Sequence, residues 1–180
     1  MSRSLAILIA LAAVAATAPA RAATMSREDY RAARARIEAE HRDARAACER
    51  LVDRGRDVCR AEAAGKERVA RAELEFNRSG DPNDALRLAL ARADARYDVA
   101  RERCAARAGQ DRSICETDAK AQHAKAVADA RLDRRITEAR RDAANERRDA
   151  EYAQARERCG ALPGDARQRC LADAKTRYDR

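Results

Sequence analysis

Hydrophobic and polar positions follow a helical period along almost the whole chain. Leu86, Leu90, Ala93, Tyr97, Ala100 and Cys104 step alternately by four and three residues, the spacing that lines one face of a helix and seats it against another. A second seam, Leu132, Ile136, Ala139 and Ala143, keeps its register through Ala150 and Ala153. Both seams are narrow and rich in alanine, so the helices they predict approach closely and gain little per layer. Charged residues fill the remaining positions. Opposite signs stand four apart at Glu38/Arg42, Glu67/Arg71, Arg134/Glu138 and Arg147/Glu151, each pair adding about 0.2–0.5 kcal/mol to a helix.

Breakers are rare enough to be informative. Ser26 with Asp29 forms a capping-box pattern at the start of the first helix. Ser79-Gly80-Asp81-Pro82 ends one helix and starts another, with Asp81 as N-cap and Pro82 in the first turn. Gly109-Gln110-Asp111 and Pro163-Gly164-Asp165 read the same way, and Asp165 with Gln168 is again box-like. From Asp111 to about Cys159 there is neither Pro nor Gly, which predicts one continuous helix of roughly 70 Å.

Six cysteines fall in three pairs of identical spacing, Cys48/Cys59, Cys104/Cys115 and Cys159/Cys170. Their surroundings repeat too. Ala44-Arg45, Ala100-Arg101 and Ala155-Arg156 precede the first cysteine of each pair, and His41, Tyr97 and Tyr152 stand seven residues before it. On a straight helix residues this far apart in sequence lie about 16 Å apart, whereas a disulfide needs Cα atoms roughly 4.4–6.8 Å apart. The chain must turn back inside each pair, and Gly55, Gly109 and Gly164 are the residues expected to reverse it. A straight helix pairing its cysteines with those of a parallel second copy is the alternative; Pro163-Gly164 argues against it in the third pair. The expected fold is all-α: an elongated array of three disulfide-stapled α-hairpins with alanine-rich coiled-coil packing. Its units are 23–79, 80–134 and 135–180, after a signal peptide over 1–22.

That signal peptide is read from Arg3, the apolar run Leu5 to Ala16 and small residues up to Ala22, with cleavage after Ala22 or, alternatively, Ala20. The run is too short for a spanning helix, so the mature chain is expected to be periplasmic or secreted, without a transmembrane anchor. An oxidising compartment fits cysteines that pair. Composition explains why they matter. Of 180 residues 47 are alanine, and the mature chain has only 22 residues of the Val, Ile, Leu, Met, Phe and Tyr type. Each staple closes a short loop and contributes about 3 kcal/mol in the chain-entropy account. Arg3 and Arg21 leave with the signal, so 39 basic residues become 37 against 31 acidic ones, a net charge of +6. The arginines do not cluster between aromatics as a nucleic-acid platform requires, so no specific nucleic-acid partner is expected.

The unit Tyr/His-x-x-Ala-Arg-x-x-Cys, followed by Arg three residues before the second Cys and then by Asp118-Ala119-Lys120 or Asp173-Ala174-Lys175, resembles a family of small exported Ala/Arg-rich helical proteins of Gram-negative bacteria. These are sometimes labelled TolA-like cell envelope biogenesis proteins. The first unit departs from the pattern with Glu62-Ala63-Ala64. The family carries no established activity, so no site residue transfers.

No catalytic constellation is visible. There are two histidines, His41 and His123, and no C-x-x-C, so zinc spacing is absent, and all six cysteines are claimed by staples. The sequence therefore predicts no catalytic, metal or cofactor residue and no enzyme. The expectation is a non-enzymatic structural spacer or protein-interaction module of the cell envelope, with envelope proteins as partners and homo-oligomers open; the alternative is a periplasmic holdase-type chaperone or stress protein.

Overall fold

A computed structural model of the protein describes residues 25–179; the expected signal peptide lies outside the described residues. These form five helices and no strand: α1 (Arg27–Cys48), α2 (Asp53–Ser79), α3 (Pro82–Ala105), α4 (Gly109–Gly160) and α5 (Gly164–Tyr178). The all-α expectation holds. Each helix packs on its neighbour in sequence, α1 on α2, α2 on α3, α3 on α4 and α4 on α5. The product is an array of antiparallel helices rather than a bundle around one centre.

Local chemistry sets most of the boundaries. Ser26 Oγ accepts from the Asp29 backbone N–H at 3.0 Å and donates to the Asp29 carboxylate at 2.7 Å, which starts α1. Asp81 caps α3 through the Asn83 N–H at 2.6 Å, with Pro82 at the first helical position, and Gly80 closes α2 in the left-handed region. Asp111 and Asp165 do not cap: the residues before α4 and α5 are Ala108 and Pro163, neither with a side-chain cap. The Asp165/Gln168 box is therefore absent, because Gly164 has already opened the helix.

The buried set is thin and small in volume: Ile37, Leu74 and Leu88, the first cysteine of each pair, and alanines such as Ala63, Ala91, Ala93, Ala119, Ala130 and Ala174. In α3, Leu88 and Ala91 are buried although they lie off the seam through Ala93 and Cys104. The reason is position. α3 lies between α2 and α4, so it buries two faces where the periodicity marked one. Small residues make the α2–α3 contact close: a Cβ placed on Gly65 would stand 2.9 Å from the Ala95 Cβ.

α4 runs unbroken for 52 residues, about 78 Å, as the absence of breakers predicted. Its first half packs on α3 and its last turns on α5. Between them, residues 139–151 are exposed on every side. The second seam is not packed: Leu132 and Ile136 are 46% and 39% exposed, and Ala139, Ala143, Ala150 and Ala153 are exposed as well. Periodicity marked a helix there correctly, but the seam has no partner among the described residues.

Candidate functional site

The necks of the three hairpins are built alike. Cys48–Cys59, Cys104–Cys115 and Cys159–Cys170 are disulfides, each with a Cα–Cα distance of 5.5 Å. The carbonyl of each first cysteine accepts from the N–H three residues on, at Leu51, Arg107 and Leu162, over 2.9–3.1 Å. An extended residue follows, Val52, Ala108 or Pro163, and then a left-handed one: Asp53, Gly109 or Gly164, with φ of 47°, 54° and 47°. Gly109 and Gly164 are the reversal residues expected. Gly55 is not. It lies inside α2 with open space around it, and Asp53 takes the left-handed position, a conformation Asp tolerates better than most residues. Arg60 braces this first neck with a bidentate pair to Glu49, both Nη2 contacts at 2.9 Å, which holds the Glu49 carboxyl below the ordinary range.

Above each neck the repeat closes a second layer. Ala63, Ala119 and Ala174, four residues after the second cysteine, are buried in all three units. One layer further, the residue seven before the first cysteine meets the residue eight after the second. His41 Nε2 stands 3.4 Å from Glu67 Oε2 and its Nδ1 is 3.2 Å from the Ala63 carbonyl. Tyr97 stacks on His123 with centroids 4.8 Å apart, while His123 Nε2 is 2.7 Å from Asp94 Oδ1. Tyr152 lies 6.1 Å from Tyr178. The repeated Arg sits over the same ring, Arg101 on Tyr97 at 5.8 Å and Arg156 on Tyr152 at 5.7 Å. Both histidines are thus interhelical struts. Among the described residues no cluster of three or more His, Cys, Asp or Glu is placed to hold a metal ion.

Two polar clusters fasten the far ends of the helices. The Tyr30 hydroxyl donates to the Glu75 carboxylate, Arg78 Nη2 donates to the same carboxylate at 2.8 Å, and the Arg78 guanidinium lies 5.2 Å from the Tyr30 ring centre. The bond from Tyr30, reinforced by Arg78, holds Glu75 below the ordinary carboxylate range; the bond to Glu75 pushes the Tyr30 phenol up. At the α2–α3 turn, buried Asp84 accepts from Ser79 Oγ at 2.5 Å and from Arg87. Ser79 contributes most to holding the Asp84 carboxyl low.

A groove of about 810 Å³ runs over α3 between α2 and α4. It arises because α2 and α4 both pack on α3 and not on each other. Val69, Ala70, Ala95, Val99, Ala100 and Ala119 supply its apolar lining. Charged residues border it, and four of them pair across the α2–α3 boundary: Arg103 with Glu62 at 2.8 Å and Arg92 with Glu73 at 3.3 Å. Lys66, Arg96 and Arg107 add positive charge against one further carboxylate, Asp118. The groove spans Arg92 to Arg107, about four helical turns or roughly 22 Å. Of the cysteines, Cys104 and Cys115 reach it at one end. The seam through Tyr97 and Ala100 pointed to a packed face of α3, and an open groove beside it left no separate periodic signal.

Set against protein-family models, curated protein sequences and solved structures, the chain matches none of them.

Proposed function

We propose that this chain is a non-enzymatic helical interaction module of the cell envelope, exported to the periplasm, and that its working surface is the groove over α3. The observation that carries the reading is the groove itself: an apolar lining about four turns long, inside a border with an excess of positive charge. Such a groove suits one amphipathic helix of a partner protein, laid apolar face down with acidic residues at its edges. Three disulfides support export to an oxidising compartment, and no described helix is long and apolar enough to cross a membrane. The resemblance to TolA-like envelope proteins supports the same placement. α4 also suits a spacer, since its exposed middle separates the hairpin it forms with α5 from α1, α2 and α3.

The groove favours a second reading as well. A concave apolar surface is what a holdase-type chaperone presents to unfolded clients, and this one is lined by valine and alanine rather than by large side chains. Crosslinking pull-downs from periplasm with the oxidised chain separate the two. A discrete envelope protein retained by the wild type and lost on Val69→Glu/Val99→Glu supports the interaction module. Suppression of aggregation of several unrelated unfolded clients at near-equimolar ratio replaces it with the chaperone. Retention of the same protein by the recharged variant removes the groove from either role.

A further inference from the structure

The face of α4 that carries Leu132 and Ile136 has no partner among the described residues, and its chemistry is self-complementary. At about 100° per residue, the residues of α4 that meet another helix nearest the seam point to one side: Ala130 and Arg134 toward α3, in line with Ala119 and His123 below them, and Tyr152 and Cys159 toward α5. Leu132, Ile136, Ala139 and Ala143 lie on the opposite side, all exposed. Among the described residues the chain's own helices therefore leave this side clear from Leu132 to Ala143, and a second helix can approach the seam there without displacing any of them.

We propose that this seam pairs with the same seam of a second copy, antiparallel, about a two-fold axis between Thr137 and Glu138. In that register Ile136 of each copy faces Ala139 of the other, and Leu132 faces Ala143, so every layer sets a large side chain against a small one. The flanks decide the orientation. Antiparallel pairing brings Arg135 against Asp142 and Asp133 against Arg140, each twice by symmetry, and all four contacts are attractive. A parallel, in-register pair brings Arg135 against Arg140 on both sides, which repels, and Asp142 against Arg147, which attracts, so its flanks cancel where those of the antiparallel pair are all attractive. The next antiparallel layer outward opposes Glu146 to Asp129, which confines the contact to these four layers and makes a small, reversible interface of the transient class.

The test is sedimentation equilibrium of the mature oxidised chain across a wide concentration range, with charge variants on the exposed flanks. The wild type is expected to show a reversible monomer–dimer equilibrium. Arg135→Asp turns two attractions into repulsions and weakens dimerisation about tenfold or more; Arg135→Asp/Asp142→Arg restores it to within about threefold. Unchanged helical circular dichroism in both variants excludes misfolding as the cause, since both residues lie on the surface. A photo-crosslinking residue at position 139 is expected to label Ile136 of the second copy. A chain that stays monomeric at the highest concentration, a dimer indifferent to Arg135→Asp, failure of the double variant to restore pairing, or a crosslink from 139 to 139 each overturns the proposal. The groove over α3 is untouched by these substitutions, so the outcome is independent of the function proposed above.

Discussion

At each neck one residue must adopt the left-handed conformation, and the three units solve this differently: Asp53 in the first, Gly109 and Gly164 in the others. For most residues that conformation costs about 1–2 kcal/mol, less for Asp. Gly109→Ala is therefore expected to destabilise the protein by about that amount, and Gly109→Asp by less. Gly55→Ala should do the reverse and stabilise by about 0.5–1 kcal/mol, because Gly55 lies in α2 with nothing near it and Ala is the better helix former. Thermal unfolding under oxidising conditions checks all three; a loss at Gly55→Ala returns the reversal to that residue. The neck's existence was legible from cysteine spacing alone. Which residue of the first span turns was not, because glycine is the default choice for a positive φ and Asp53 looks like any helix-starting acid.

Among the elements, the α2–α3 contact depends on Gly65, whose missing side chain lets α2 come within reach of Ala95. Gly65→Leu forces the pair apart and is expected to cost about 1–3 kcal/mol, and it should weaken the ion pairs Arg68–Asp98 and Arg103–Glu62 that cross the same boundary. Double-mutant cycles with Asp98→Ala read this out: a coupling between Arg68 and Asp98 that survives Gly65→Leu refutes the close-approach account. Alanine and glycine contacts are poorly visible in a sequence, since small residues occupy exposed and buried positions alike in a chain this rich in alanine. The long helix was visible for the opposite reason, because neither Pro nor Gly occurs between its terminal Gly109 and Gly160. Its stretch at 139–148 has helical backbone bonds and exposed side chains throughout, and a helix with little packing is marginal. Hydrogen exchange is therefore expected to be fastest there within α4, and slower around Ala119 and Cys159; uniform protection along α4 refutes this.

For the molecule as a whole, a thin core stands beside four carboxylates that gain a hydrogen bond in the folded state. Glu49, Glu75, Asp84 and Glu116 are held below the ordinary range chiefly by Arg60, Tyr30, Ser79 and Arg112 in turn. A group whose folded pKa is depressed adds stability above its unfolded value, near about 4, and loses it as pH falls through the folded value. Stability should thus be lower at pH 3 than at pH 6, with Ser79→Ala reducing the drop by releasing Asp84; a midpoint that rises on acidification contradicts the assignment. Tyr30 has the opposite sign: its raised phenol contributes below about pH 10 and is lost as pH rises further. Shape follows from the same scarcity of core. Among the described helices only sequence neighbours pack, and α4 alone is about 78 Å long, so none of them draws the distal hairpin back onto α1, α2 or α3. A compact domain of about this length has a radius of gyration of roughly 15 Å. Small-angle scattering of the oxidised chain at low concentration is expected to give more than about 20 Å, the value near which a uniform rod as long as α4 already lies. A radius near the compact value sinks the extended array and, with it, the spacer role proposed for α4.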